Sequence, residues 1–593
     1  AASLLISSWG RRSALSPGVI AVLILLAASL YLLFSPRVGE IQRWVVRRQW
    51  KGYDLVGYEN SVYGNVTTIR QEGQYTFFAN GLPILTVPIP DITLVEEMVH
   101  LPLLFHPGPK NVLVVSGGVG GILKEIIKYP VEAVDYAELD PLLIQMAQKF
   151  ITPLTAQELG DPRVKVEHID GRLLVRKIGW ASRSHPEEGY DLIIVNLPYP
   201  LTLQLNRFYT LEFFQMIGEI LAGDGILVIS CPGTLTYMSE ELRDLNAVLY
   251  QTLKAAFPHV HPIPGDLNLW LASPSASISA VTPEALVQRW GQRALKTQLM
   301  TEFHIRYKLD ERRLDWFWES LRGSEEIRLN EDLHPVGLFY GLSYWNALFA
   351  PHLSRYFRFL SRLNLWALSV PIVLLTVAFL VAGRLTSKVG RAAIPIAIVS
   401  TGFTGMTFDL VIIFAFQTLY GYVYHQIGLL ITAFMAGLSL GGLLMTSRLE
   451  RIKRERSLLI GLELSILLYW AALPMVLSAL YAHITRPLLF AAIQVILLFL
   501  NSLAGFLVGL EFPLANKIYL REGADLSGTA GALYAADLLG AFAASVVVSV
   551  ALIPVLGILE TCVLVAVLKL GSLVLIIALK TTYPPLSGRE AEA

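Results

Sequence analysis

Cysteine is nearly missing from this chain. Only Cys231 and Cys562 occur in 593 residues. Cys562 lies in an apolar run, so a disulfide framework is excluded. Charge is also scarce, at 16% of residues, where a soluble domain carries about 25%. Hydrophobic residues reach 54%, which excludes a disordered or heavily solvated chain. Neither sign of charge dominates, because 47 Lys and Arg balance 47 Asp and Glu. A nucleic-acid partner would need a basic field, and none is present. The eleven histidines show no CxxC or HExxH company, so no metal site is read. His259 and His261 form an HxH pair in a proline-rich connector with no third ligand in view, and packing is the reading for His100 and His106.

What is present falls into blocks. Residues 17–35 are apolar and uncharged, and about 20 such residues span a bilayer. A signal peptide is the rival reading, because Arg11 and Arg12 precede the run. No small-residue cleavage site follows it, and a basic stretch does (Arg37, Arg43, Arg47, Arg48, Lys51), which favours a membrane helix. The abrupt opening AASLLISSW leads us to expect residues upstream. Residues 52–362 are soluble in character. Apolar segments then return near 364–383, 393–417, 426–446, 457–480, 487–512, 529–553 and 557–579, with charges at the breaks. With 17–35 they make about eight helices of a multi-pass bundle. Small residues recur at 437–442 and 533–545, where helices could approach closely.

The soluble block reads as alternating strands and helices. KNVLVVSGGVGGILKEI (110–126) is a buried strand, a glycine-rich turn and a helix start. VEAVDYAELD (131–140), VKVEHIDG (164–171), YDLIIVNLP (190–198) and GILVIS (225–230) supply four more strands. This alternation predicts a parallel, doubly wound, Rossmann-like α/β sheet, with ligands at the carboxyl ends of its strands. Gly117, Gly118 and Gly120 let backbone approach a ligand, although a plain tight turn explains them almost as well. Glu138 closes the second strand, where a carboxylate can accept ribose hydroxyls. Asp170-Gly171 closes the third, where a carboxylate can accept from an adenine amino group. Together they suggest a nucleoside pocket; the alternative is a pair of solvated loop acids.

At these residues the chain resembles the spermidine synthase (polyamine aminopropyltransferase) family, and especially its membrane-fused members. The similarity runs through YGNVTTIRQEGQYTFFANGLP (63–83), EEMVHLPLLFHPGPKNVLVVSGGVGG (96–121), VDYAELDP (134–141), DPRVKVEHIDGR (161–172), YDLIIVNLPYP (190–200) and NRFYTLEFF (206–214). It continues into LNEDLHPVGLFYGLSYWNALFAP (329–351), FMAGLSLGGLLMTSRLER (434–451) and GALYAADLLGAFAAS (531–545). The resemblance implies a membrane helix in 1–36, a linker and small β-rich part in 37–110, and a synthase-like domain with its extension in 111–362. A seven-helix bundle in 363–580 and a tail in 581–593 complete it. It also implies decarboxylated S-adenosylmethionine, S-adenosylmethionine or methylthioadenosine as ligand, an amine attacking the aminopropyl carbon, and a carboxylate taking the amine's proton.

The departures from the family pattern are concentrated. The family's glycine-loop acid falls on Val119, and its catalytic pair of acids on Asn196 and Tyr199. An early acid falls on Asn80 and a substrate-lining tyrosine on Val95. On the amine side, Asp91 and Glu97 remain. On the nucleoside side, Gly117, Gly118, Gly120, Glu138, Asp170 and Gly171 all match. An asparagine cannot take a proton from an ammonium, and a tyrosine of pKa near 10 is a poor base. For Tyr199 and Tyr209 packing at the sheet edge is the competing reading. A polyamine desolvated without counter-charge costs several kcal/mol per ion. Ordinary spermidine synthesis is therefore not expected. A non-catalytic subunit of a membrane assembly stands slightly ahead of an aminopropyl- or methyl-transferase with an altered acceptor.

Loops 383–392, 447–457 and the loop after 512 are basic, through Arg384, Lys388, Arg391, five residues of SRLERIKRERS, Lys517 and Arg521. If all three are cytoplasmic, segment 364–383 starts outside, and the soluble domain leans extracytoplasmic on a bacterial inner membrane. The basic stretch after the first helix pulls the other way. A broken or re-entrant 393–417, with Pro395, Gly402, Gly405 and Asp409, would reconcile the two. Asp409 and Asp537 are acids deep in apolar runs and raise a cation-transporter-like reading. Glu463 and Glu511 lie nearer helix ends, where snorkelling to water explains them. The partners expected are the lipid bilayer and either membrane proteins or further copies of the chain.

Overall fold

The computed structural model describes residues 17–35, 37–182, 189–322, 328–386, 390, 392–421, 424–482, 487–520 and 526–579. Arg11, Arg12, Lys388, Arg391 and Arg521 lie outside these residues. The first apolar run forms helix α1 (Pro17–Phe34), whose uninterrupted apolar core is Ile20–Leu32.

A four-stranded antiparallel sheet follows, from β1 (Asp54–Ser61), β2 (Gly64–Gln71), β3 (Gln74–Ala79) and β4 (Leu82–Val87). Asn80-Gly81 joins β3 to β4 with φ of 51° and 83°. An Asn-Gly pair with both residues left-handed is the sequence that a two-residue hairpin requires. Asp91 then caps α2 (Ile92–Phe105) by accepting from the Leu94 N–H at 3.1 Å.

The second sheet carries β5 (Asn111–Val115), β6 (Ala133–Ala137), β7 (Val164–Glu167), β8 (Tyr190–Val195), β9 (Leu221–Pro232), β10 (His259–Ile263) and β11 (Leu267–Ser273). Its order is β10-β11-β9-β8-β5-β6-β7. Five strands are parallel, as the alternating pattern predicts. The sheet is mixed rather than purely parallel, because β11 and β10 add antiparallel to β9. The proline-rich segment around His259 and His261 is thus a strand, not a connector. Pro262 is tolerated there because β10 is an edge. The central strands are buried on both faces, between Val112, Val114, Leu192 and Ile194 on one side and Leu113, Val115, Ile193 and Val195 on the other. Around the sheet lie α3 (Ile122–Ile126), α4 (Gly171–Ser182), α5 (Leu211–Ile220), α6 (Glu302–Lys308) and α7 (Val336–Phe349).

The apolar half folds into α8 (Leu365–Leu385), α9 (Ala393–Tyr420), α10 (Tyr424–Arg448), α11 (Glu455–Ala482), α12 (Pro487–Leu520), α13 (Leu526–Val547) and α14 (Gly557–Ala578). Among the described residues, six apolar helical stretches are long enough to cross a membrane. One of them, 530–578, doubles back at Gly557, whose φ is +82°, and so holds two helices. With α1 the apolar helices number about eight. Gly540 packs on Val399 of α9, while Lys569 reaches Ser400 and Thr401 of the same helix, so α13 and α14 both run along α9. Segment 393–417 is an unbroken helix, so it is neither interrupted nor re-entrant.

The small residues do what their spacing implies. Gly437 and Gly441 of α10 lie against the backbone of Ser502 and Phe506, and Gly505 and Gly509 of α12 against Phe434 and Leu438. A methyl group at any of the four would collide with backbone, so the two helices approach at contact distance.

The soluble domain rests on one end of this bundle. Leu333 O accepts from Ile558 N–H at 2.7 Å, the His334 ring reaches Val555 O at 3.1 Å, and the Arg176 guanidinium lies 4.9 Å from the Phe490 ring centre. The Arg384 end of α8 and the 448–456 loop lie at the opposite end.

Candidate functional site

The site is built at the carboxyl ends of β5, β6 and β7. The chain leaves β5 through Ser116 and Gly117, with φ of 62° and 59°, and Gly120 and Gly121 are left-handed too. This sharp path turns the loop into α3. Glu138 ends β6, and Asp170-Gly171 follows β7 into α4, so three adjacent strands bring the glycines and both acids to one edge.

Each polar group here has a partner within the chain. Glu138 is buried and accepts from the Tyr136 hydroxyl at 2.6 Å. Burial raises its carboxyl above the usual range, against the hydrogen bonds it receives from Tyr136 and nearby N–H groups. Asp170 accepts from the Leu173 N–H at 3.0 Å through Oδ1 and from Arg207 Nη1 at 2.6 Å through Oδ2. Arg207 also donates Nε–H to the Thr418 carbonyl of α9 at 3.2 Å. A side chain at Gly421, just beyond α9, would strike both Arg207 and Asp170. The acid expected to face adenine is therefore held by a guanidinium that reaches into the membrane bundle.

Asn196 follows β8, and its amide donates from Nδ2 to the Gly117 carbonyl at 3.0 Å. A carboxylate could not make that bond. Tyr199 is half-buried and meets the Tyr344 ring at 5.7 Å. Burial, aided by Tyr344 and Cys231, pushes its phenol up to about 12. Tyr209 is buried and donates to carbonyls of Leu197, Pro198 or Ser230 at 3.0–3.3 Å.

The remaining amine-side acids are engaged elsewhere. Asp91 is the helix cap described above. Glu97 is buried against His304 Nε2 at 2.8 Å and Lys308 Nζ at 2.7 Å, both on α6. Burial pushes its carboxyl up, but those two partners outweigh it and leave it below the usual range. Val119 and Val95 are buried in the core, and the Asn80 amide oxygen accepts from the Asn65 N–H at 3.1 Å. The structure gathers the nucleoside-side residues at one edge and gives Asp91 and Glu97 structural partners.

Four residues at this edge carry no sequence signal of their own. Glu158 accepts from the N–H groups of Gly120, Gly121 and Lys124 at 2.9, 2.6 and 3.3 Å. Burial pushes its carboxyl up to about 7 despite those bonds. Tyr136 holds Glu138. Arg207 could be found only once α9 was folded against it. Tyr63, in the β1–β2 turn, is raised by burial and by the charges of Asp140 and Asp170.

Among the described residues, two carboxylate–histidine groups elsewhere invite a metal reading. Glu96, His100 and Glu125 are buried together. Glu96 accepts three backbone N–H groups, from Gln298, Leu299 and Met300. His100 lies between Tyr129 and Glu125, which also meets Lys128. That set is an internal network with its bonds made. His106, Asp191 and Asp224 meet at the amino end of the sheet, and Asp224 is exposed.

Residues 93–283 match the family model described as the spermine/spermidine synthase domain. A polyamine aminopropyltransferase of Clostridium perfringens is 31% identical over 255 residues, covering 41% of this chain and 84% of that protein. One from Thermoanaerobacter sp. is 33% identical over 175 residues, covering 29% of this chain. The match spans only 60% of that relative's length. A solved spermidine synthase in complex with the transition-state analogue AdoDATO aligns with 22% identity and a TM-score of 0.37, covering 45% of this chain and 88% of that one.

Proposed function

The chain belongs to the spermine/spermidine synthase family, and from that premise we propose that its synthase-like domain is a non-transferring domain of a membrane assembly. The observation that carries this reading is the Asp170–Arg207–Thr418 chain of contacts. An adenosylmethionine-type nucleoside would have to share Asp170, whose two oxygens already accept from the Leu173 N–H and from Arg207. Arg207, seated on the bundle, thus competes with that ligand for the same carboxylate. Asn196 supports the same reading, since its amide fastens the loop where a proton acceptor would be needed.

The domain lies at the bundle end opposite the 448–456 loop, which holds five basic residues. If that loop is cytoplasmic, the domain is extracytoplasmic, away from adenosylmethionine-type compounds; the basic stretch Arg37–Lys51 on the domain's own side favours the reverse.

A second reading is favoured by Glu138 and the intact glycine loop. It is a transferase with an altered, less cationic acceptor, using decarboxylated S-adenosylmethionine or S-adenosylmethionine as donor. One experiment separates the two. The thermal stability of the detergent-purified protein is measured with methylthioadenosine, S-adenosylmethionine and its decarboxylated form. Glu138→Ala serves as control. A bound ligand at 100 times its Kd adds ~2.7 kcal/mol. No shift with any of the three is expected. A shift that disappears in Glu138→Ala would overturn the proposal and install the second reading.

A further inference from the structure

The membrane bundle holds a charge cluster that the synthase-like domain does not use. Lys569 of α14, Glu463 of α11 and Glu511 of α12 are each fully buried. Lys569 Nζ lies 2.8 Å from Glu463 Oε2 and 3.9 Å from Glu511 Oε2. Ser572 donates to Glu463 at 3.1 Å, and the Thr401 hydroxyl of α9 donates to Glu511 at 2.8 Å. Lys569 Nζ also reaches Thr401 at 2.8 Å and Ser400 at 3.4 Å. The two glutamates lie well inside α11 and α12 rather than near their ends, and they are not snorkelling. They point inward and meet a lysine.

The charges do not balance. One ammonium faces two carboxylates, so full ionisation would leave a net negative charge fully buried inside the bundle. That state costs several kcal/mol, and binding one proton removes it. The neighbouring ionised groups do not supply the missing charge. Lys517 is paired with Glu455 at 3.0 Å and donates to the Leu449 and Ile452 carbonyls, and Arg456 donates to carbonyls at the end of α14.

The cluster also borders a cavity. A cavity of about 230 Å³ opens between α9, α10, α12 and α13. Thr401 lines it from the cluster side and Asp537 from the other, with Leu438, Val508, Phe512 and Tyr534 between. Asp409, by contrast, is buried and accepts from Asn501 Nδ2 at 2.9 Å, an interhelical bond.

We propose that Glu463, Glu511 and Lys569 form a proton-exchange site of the bundle, loaded and unloaded through the Asp537 cavity by way of Thr401. The ligand is a proton shared between the two carboxylates. This inference is independent of whether the soluble domain transfers anything.

The test uses full-length protein in lipid nanodiscs and the infrared stretch of protonated carboxyl groups. Near neutral pH the wild type is expected to show such a band. A component of it should disappear in Glu511→Gln or Glu463→Gln and survive in Asp409→Asn, Asp537→Asn and Glu158→Gln. In D₂O the band should shift, and Thr401→Val or the cavity-filling Leu438→Trp should slow that shift. A wild-type spectrum without the band, a band insensitive to both glutamine variants, or a band that never shifts in D₂O would each overturn the proposal. The wild-type spectrum decides alone when the band is absent; when it is present, Glu511→Gln and Glu463→Gln, two independent variants, assign it against the raised carboxyls of Glu138 and Glu158.

Discussion

Replacing Asn196 by aspartate separates a structural amide from a lost catalytic acid. The amide donates 3.0 Å to the Gly117 carbonyl, inside a loop where Ser116 and Gly117 are both left-handed. Aspartate offers that carbonyl only acceptors, and the net loss of such a bond with an unsatisfied partner is about 1–3 kcal/mol. For a domain of 150–250 residues 1 kcal/mol is worth roughly 2–4 °C in Tm, so a fall of a few to about 10 °C is expected near pH 8. The defect should depend on pH. The facing carbonyl disfavours the carboxylate, so the folded pKa rises above the unfolded value of about 3.9. A raised acid contributes stability that is present below the unfolded pKa and lost as pH rises through the folded one. The gap to wild type should therefore narrow toward pH 5, where the substituted carboxyl takes up a proton and regains a donor. The assay is thermal unfolding of both proteins across pH 5–8. An Asn196→Asp variant as stable as wild type at pH 8, or a gap that does not narrow, would refute the structural role.

Glu158→Gln should destabilise by ~1–3 kcal/mol, because an amide NH₂ must then face a loop N–H. Wild-type stability should also decline by roughly 3 kcal/mol as pH rises past the raised Glu158 value, and this slope should flatten in the variant when unfolding is followed from pH 5 to 8. Arg207→Met leaves Asp170 buried without its cation, a loss of ~3–5 kcal/mol, and Arg207→Met with Asp170→Asn should recover much of it. Differential scanning of the two variants checks this, and equal Tm values would argue against the pair. Gly421→Ala places a methyl group against Arg207 and Asp170 at a left-handed φ of +80°. It should cost more than ~1 kcal/mol and loosen the domain from the bundle, seen as faster proteolysis between 350 and 364.

The β5–β6–β7 edge was legible because strand, glycine turn and terminal acid follow one another locally, and period and punctuation suffice to place them. The same holds for the apolar runs of the bundle and for Gly437 and Gly441. Partners that arrive from distant chain were not legible. Glu158 reaches the glycine loop from more than 30 residues away, and Arg207 meets Thr418 across a separation of 211. Lys569 sits alone in α14, and only the folded bundle shows that Glu463 and Glu511 converge on it. The strand at 259–263 was hidden by its prolines, which an edge accommodates.

The segment 329–335 ties these observations together. Asp332 holds Arg172 and the Thr210 hydroxyl, Asn330 knits Asn206 to Tyr209, and Leu333 and His334 bond the turn between α13 and α14. It anchors the sheet to the bundle beside Arg207. With the domain seated this way, Asp170 is buried at the seam, and a free carboxylate there would be an unpaired buried charge. Arg207 removes that cost, and in doing so occupies part of the carboxylate a nucleoside would use. Seating the domain and opening the nucleoside pocket thus compete for one carboxylate. A chain that keeps the first has little use for acids that activate an amine, which fits an asparagine at 196 and a valine at 119.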